Sequence, residues 1–171
     1  MAARFRYPIK RSPKSDPQQY AVYRLENEAI GARSYAKLTR ERIRGLVRSV
    51  CRNYRVPQAR VVWKDLGKWA AEWDNSVIRF NTKKGTASDV LTVTHELAHH
   101  VHYWLSGKED VSEAHGPEFM ACHMSILDTC RVIPVVGMRA ICAAWKVRFA
   151  DPGTTNSLEK LRTICSGRNS A

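Results

Sequence analysis

His95, Glu96 and His99 stand in the run His95-Glu96-Leu97-Ala98-His99. On a helix, residues four apart project about 40° from one another, so these two imidazoles stand side by side and can grip one metal ion. Glu96 is turned about 100° from His95, close enough to take a proton from a water at that metal without being a ligand. Zinc suits two neutral imidazoles, a third protein ligand and a fourth position left to water. Such a metal acidifies its water, and a carboxylate base then yields a hydroxide-like nucleophile at neutral pH.

A third ligand is expected from a later element. The best candidate is His115, in His115-Gly116-Pro117-Glu118-Phe119, 16 residues after His99. Pro117 fits the first turn of a new helix, and Gly116 allows close backbone approach, so His115 sits at a rigid helix entrance. Glu113 and Glu118 compete with it, because carboxylates also serve as third zinc ligands.

The pairing of His-Glu-Leu-Ala-His with a downstream His-Gly-Pro-Glu-Phe resembles the SprT-like metallopeptidases, the group that includes Spartan, a protease acting on DNA–protein crosslinks. The resemblance covers roughly residues 59–131. It implies a zincin-like α+β fold and zinc-dependent peptide hydrolysis. It also implies that His95, His99 and His115 bind zinc and that Glu96 is the catalytic base. Many members carry a cysteine zinc ribbon after the peptidase domain that contributes to DNA binding, and this chain has none. Its length resembles a compact stand-alone version of the kind a bacteriophage encodes. That implies a place in the bacterial host cytoplasm or in the virion.

Several elements must position these residues. Residues 1–16, with Pro8, Pro13 and five basic residues, read as an extended basic arm. Residues 17–36 and 39–54 read as helices, the second with Thr39 as N-cap and an apolar stripe through Ile43, Val47 and Val50. Three strands are expected at 59–64, 67–73 and 77–81, the last two forming a hairpin about Asp74, Asn75 and Ser76. The metal-binding helix is expected over 88–105, with an apolar arc through Leu91, Leu97 and Val101 opposite His95, Glu96 and His99. Further helices are expected over 116–131, 134–149 and 157–165, with a frayed tail at 166–171. The fold class is therefore α+β, with a small, mostly antiparallel sheet. Residues 17–165 form one domain, divided into a basic helical part (17–56), a catalytic core (57–131) and C-terminal helices (132–165).

Other residues near the motif have plainer readings. His102 suits a partly buried position behind the ligands, His100 a surface position, and His123 a packed position within reach of a ligand. Tyr103 is a candidate donor to an oxyanion. Trp69 and Trp73, at i and i+4, suit one face of a strand, buried against the helices or lining a substrate groove. In zinc peptidases of this general architecture a strand borders the cleft, and by that analogy residues 67–73 are the edge strand that an extended peptide pairs with. Phe119, Met120, Met124, Ile126 and Leu127 read as core.

The 171 residues carry 28 Lys and Arg against 16 Asp and Glu. Residues 1–60 hold 15 basic and 4 acidic residues, a net of +11. Residues 61–171 hold 13 and 12, a net of +1. A basic segment of this kind attracts polyanions, chiefly nucleic acid. Arg40, Arg44, Arg48 and Arg52 recur at i+4 and form a candidate ladder for phosphates, the plain alternative being a solvated helix face. No apolar run is long enough to span a membrane. The five cysteines lack Cys-x-x-Cys spacing and read as buried, reduced thiols.

The function expected from these residues is a zinc metallopeptidase with a protein or peptide substrate, acting on proteins associated with nucleic acid. Two alternatives stand beside it. One is a nucleic-acid-binding or virion structural protein with a structural zinc; the other is a zinc peptidase with no link to nucleic acid.

Overall fold

A computed structural model describes residues 16–31, 37–107, 113–153 and 158–165. The expected arm lies outside the described residues except for its last member, Asp16, and so does the expected tail.

The first helical stretch changes its winding partway, and the last residues of the expected helix, 32–36, lie outside the described residues. Helix α1 (Gln19–Arg24) runs into a π-helical turn (Leu25–Ile30) that ends at Gly31. The wider turn buries Glu26 and Asn27 together with Leu25 and Ile30. Helix α2 (Arg40–Asn53) starts as expected: Thr39 Oγ1 accepts from the Arg42 N–H at 3.2 Å. Its Ile43, Val47, Val50 and Cys51 are buried, and its arginines 40, 44, 48 and 52 are exposed.

Strands β1 (Arg60–Lys64), β2 (Ala71–Asp74) and β3 (Val77–Asn81) form one sheet in the order β1-β3-β2. The hairpin is present, with β2 antiparallel to β3 and Asp74 opposite Val77. Asn75 and Ser76 both take positive φ, 44° and 68°, as a type I′ turn requires. The sheet is mixed, not mostly antiparallel, because β1 runs parallel to β3. The connection over residues 65–70 is long enough to pass over the end of β3 and deliver β2 to the far side. Asn81 pins this crossing: its Nδ2 donates to the carbonyls of Gly67 (3.2 Å) and Trp69 (2.6 Å). Trp69 therefore lies before the strand, in that crossing, and not within β2.

Register places Ala71, Phe80 and Trp63 on one face of the sheet, together with Trp73, Ile78 and Val61. This face meets the helices, and Ile78 and Phe80 are fully buried. The other face carries Glu72, Asp74, Arg79 and Lys64, which pair among themselves. Such one-sided burial is usual for a sheet with an antiparallel hairpin.

Helix α3 (Val90–Leu105) follows a short 3-10 turn (Gly85–Ser88) and packs chiefly on helix α4 (Pro117–Thr129) and on β2. The polar arc of the helix is buried along with the apolar one. Thr92, Thr94, His95, Glu96, His100 and His102 are buried as fully as Leu91, Leu97 and Val101. The helix is buried over most of its surface, so its buried polar residues must find partners inside the protein.

Helix α4 buries Phe119, Met120, Met124, Ile126 and Leu127 in the core, as expected. Each fully buried large side chain of this kind contributes about 1.5–3 kcal/mol. Tyr54, at the end of α2, ties onto α4 through Ser125 Oγ (2.8 Å) and Thr129 Oγ1 (3.2 Å). Helices α5 (Val135–Ala144) and α6 (Leu158–Cys165) complete the described residues. Four of the five cysteines are buried, and Cys122 Sγ lies 3.5 Å from Cys165 Sγ, between α4 and α6. Among the described residues no helix is long and apolar enough to cross a membrane.

Candidate metal centre

Three imidazoles converge on one point. His95 Nε2 lies 3.1 Å from His99 Nε2 and 3.3 Å from His115 Nε2. The i, i+4 spacing on α3 supplies the first pair, and the entrance to α4 supplies His115. Gly116 is needed there: a Cβ on it would lie 3.0 Å from Glu113 Cβ and 3.2 Å from the Glu113 carbonyl oxygen. Pro117 opens α4 at its first turn. The competing carboxylate of Glu113 is directed elsewhere, onto Arg148 at 2.6 Å.

Two buried carboxylates orient the imidazoles from behind. Glu26 Oε1 lies 2.7 Å from His95 Nδ1. Asp16 Oδ2 lies 2.6 Å from His115 Nδ1, and Asp16 Oδ1 accepts from the His115 backbone N–H at 3.4 Å. Each Nδ1 is thereby placed to donate to its carboxylate, and in a neutral imidazole that tautomer leaves Nε2 as a lone pair directed at the common point. Two lone pairs 3.3 Å apart repel, and a cation between them relieves that repulsion. Four-coordinate zinc with bonds of about 2.0–2.1 Å sets its ligand atoms about 3.3 Å apart, so the spacing fits. Burial, with the neighbouring His115, pushes His95 and His99 well below the usual imidazole range, which keeps them neutral as ligands must be.

Asp16 and Glu26 escaped the sequence reading. They are two of only four acidic residues in the first 60. In so basic a stretch, that scarcity is the one signal that could have drawn attention to them. Gln18 reinforces the arrangement by donating to the carbonyls of His115 and Arg148, both at 2.9 Å. His123 is fully buried behind the centre, its Nδ1 3.3 Å from Glu26 Oε1.

A cavity of about 390 Å³ opens at the three histidines and is lined also by Glu96, Tyr23, Trp69, Trp73, His102 and Tyr103. Burial, with the Glu26 and Glu72 carboxylates, pushes Glu96 well above the ordinary carboxylate range, opposed by a hydrogen bond from the Trp73 backbone. Tyr23 sets its ring edge-on to His115, with centroids 5.0 Å apart. Burial raises its phenol further, so it stays protonated and can donate a hydrogen bond. Phe119 packs behind the histidines, its ring 4.4 Å from that of His99.

His100 is not a surface residue. It is fully buried, its Nε2–H donating to the Pro57 carbonyl at 2.8 Å and its Nδ1 accepting from the Trp73 indole N–H at 3.3 Å. This relay holds Trp73 stacked on His99, with centroids 6.2 Å apart and planes inclined by 19°. The doubled histidine of the motif thus divides its work, His99 facing the cavity and His100 anchoring the cavity wall. His102 lines the cavity and Tyr103 packs 5.2 Å from Trp73, ring to ring. Ala71, Glu72 and Trp73 of β2 also line the cavity, and β2 is an outer strand of the sheet.

The arginine row lies elsewhere. Arg40 and Arg44 sit over Trp63 of β1, at 5.2 and 4.5 Å from the ring centroid. Arg48 and Arg52 continue along α2, about 6 and 12 Å beyond Arg44 along its axis. None of the four is part of the histidine cavity. Comparison with protein-family models, curated proteins and solved structures returns no match.

Proposed function

We propose that the chain is a zinc-dependent metallopeptidase in which His95, His99 and His115 hold the metal and Glu96 is the general base. The observation that carries this reading is the convergence of three imidazoles, two of them backed by carboxylates, beside a buried glutamate at an open cavity. A purely structural zinc site has no use for such a glutamate or for an open approach.

Zinc held by His95, His99 and His115 would supply Lewis-acid polarisation of the scissile carbonyl, acidification of a water, and a positive charge that favours the ionised form of Glu96 that a base requires. Glu96 takes a proton from the attacking water and passes it to the departing amine. Tyr23 lines the same cavity as a protonated phenol, a donor for the carbonyl oxygen as negative charge grows on it. The outer strand β2 offers backbone groups to an extended peptide, and Trp69, Trp73 and Tyr103 offer apolar surface to its side chains. The polyanion that suits the basic segment is nucleic acid, so the substrates are proteins associated with it.

The test is metal analysis of the purified chain together with cleavage of an unstructured protein such as casein, with and without DNA. About one zinc per chain and cleavage lost on chelation are expected. Full zinc with no cleavage of any protein substrate in either condition would move the reading to a structural zinc protein.

A further inference from the structure

The sheet has two outer strands, and they border different cavities. β2 lines the histidine cavity, while β1, on the other side of β3, borders a second cavity of about 310 Å³. Strand spacing of about 4.8 Å puts these two edges roughly 10 Å apart. The second cavity lies between the start of α2, the ends of β1 and β3, and the 3-10 turn. Arg40, Trp63, Thr82, Lys83, Lys84 and Gly85 are among its lining residues.

Its charge is largely uncompensated. Among the described residues Arg40 and Arg44 make no ion pair with a carboxylate, Lys83 is paired with Asp65 at 2.6 Å, and Lys84 lies within electrostatic reach of that same carboxylate without pairing with it. Trp63 is half-buried, backed by Phe80 at 6.2 Å between ring centroids, and so forms a fixed platform under the two guanidinium groups. Cations beside an indole suit a ligand that has both negative charge and a flat π-face. A base can exchange with a guanidinium over the indole and free that guanidinium for the adjoining phosphate. A sulfated polysaccharide or an acidic peptide offers the charge without the flat face. A duplex keeps its bases stacked on one another.

We propose that this β1-edge cavity binds single-stranded nucleic acid, with Trp63 stacking a base and Arg40, Arg44 and Lys84 contacting phosphates. The proposal deepens the nucleic-acid association put forward above and is independent of the peptidase chemistry. It also divides the arginine row, making Arg40 and Arg44 contacts and leaving Arg48 and Arg52 on a solvated face.

The experiment is fluorescence anisotropy of a labelled oligothymidine with the full chain, across a range of salt. Binding should weaken with salt at a log–log slope of about −2, the value for about three phosphate contacts to a single strand. Trp63→Leu should weaken binding about five- to a hundredfold, the range for losing one stacked base, and Trp63→Phe should restore part of it. Arg40→Gln with Arg44→Gln should flatten the salt slope by a little over one unit, whereas Arg48→Gln with Arg52→Gln should leave it unchanged. Zinc content and circular dichroism check that each variant is folded. If Trp63→Leu does not fold, Trp63→Phe and the two arginine pairs decide the matter. Equal losses from both pairs, or equal binding of duplex or heparin, would overturn the assignment in favour of a diffuse basic face. No binding at about 0.1 M salt would overturn it together with the nucleic-acid association. Casein cleavage by the parent chain reads out the peptidase proposal separately.

Discussion

Asp16 holds His115 by two contacts across 99 residues of sequence, one to the ring Nδ1 at 2.6 Å and one to the backbone N–H at 3.4 Å. The contact sets both the tautomer and the direction of the imidazole. It makes the start of the described chain part of the histidine cluster rather than an appendage to it. Glu26 does the same for His95 from the π-helical turn. The basic N-terminal part therefore contributes two of its four acids to the site, while its Arg40, Arg44, Arg48 and Arg52 stay exposed.

Removing the charge behind a ligand should loosen the metal without removing a ligand. Asp16→Asn is expected to lower zinc affinity by about 10- to 100-fold, the range for such supporting partners. Titration against a chromogenic chelator measures it. An affinity equal to that of the parent would mean that Asp16 plays no part in holding the ligand.

Glu96→Gln preserves shape and removes the base. Zinc content should stay at that of the parent, and casein cleavage should fall by about a hundredfold or more. Cleavage at the parental rate would end the role assigned to Glu96.

His115→Ala leaves two protein ligands. Zinc should be lost at chelator concentrations that the parent withstands, while variants of Glu113 and Glu118 keep it. Retention of zinc by His115→Ala, with loss in either glutamate variant, would transfer the third ligand to a carboxylate.

His100→Ala strands the Trp73 indole N–H and the Pro57 carbonyl. A loss of about 1–3 kcal/mol in unfolding free energy is expected, the cost of leaving buried polar groups unpaired. Urea denaturation of the zinc-free chain reports it. A change within the error of the parent would show that water replaces the relay at no cost.

Stability should fall on acidification, and the sign follows from burial. His102 and His123 are both pushed down to about 4, chiefly by desolvation. In the unfolded chain a histidine titrates near 6.5. Between about pH 6.5 and pH 4 the unfolded chain binds protons that these folded histidines refuse. Their contribution is complete above about pH 6.5 and declines below it, by up to about 1.4 kcal/mol per pH unit for each. In His102→Gln the acid slope of the zinc-free chain should be shallower by about one proton. An unaltered slope would mean that His102 titrates normally in the fold.

The chain's local chemistry was legible from sequence, because it depends on spacing along one element. Four residues on a helix bring His95 and His99 together, Thr39 caps α2, Pro117 and Gly116 open α4, and Asn75-Ser76 turn the hairpin. Each of these is decided within a few residues of backbone. What only the tertiary structure decided is which distant groups meet. Nothing in a periodicity tells that Asp16 faces His115 or that Glu26 faces His95, since those contacts bridge 99 and 69 residues. The same holds for His100: a helical wheel fixes its direction but not what packs there, and Pro57 and Trp73 fill that side. The parallel pairing of β1 with β3 was hidden for a like reason. Three strands in a row pair as neighbours by default, and it is the crossing pinned by Asn81 that inserts β3 between the other two. Likewise an i+4 row of arginines reads as uniform along α2, and only the position of Trp63 sets Arg40 and Arg44 apart from Arg48 and Arg52.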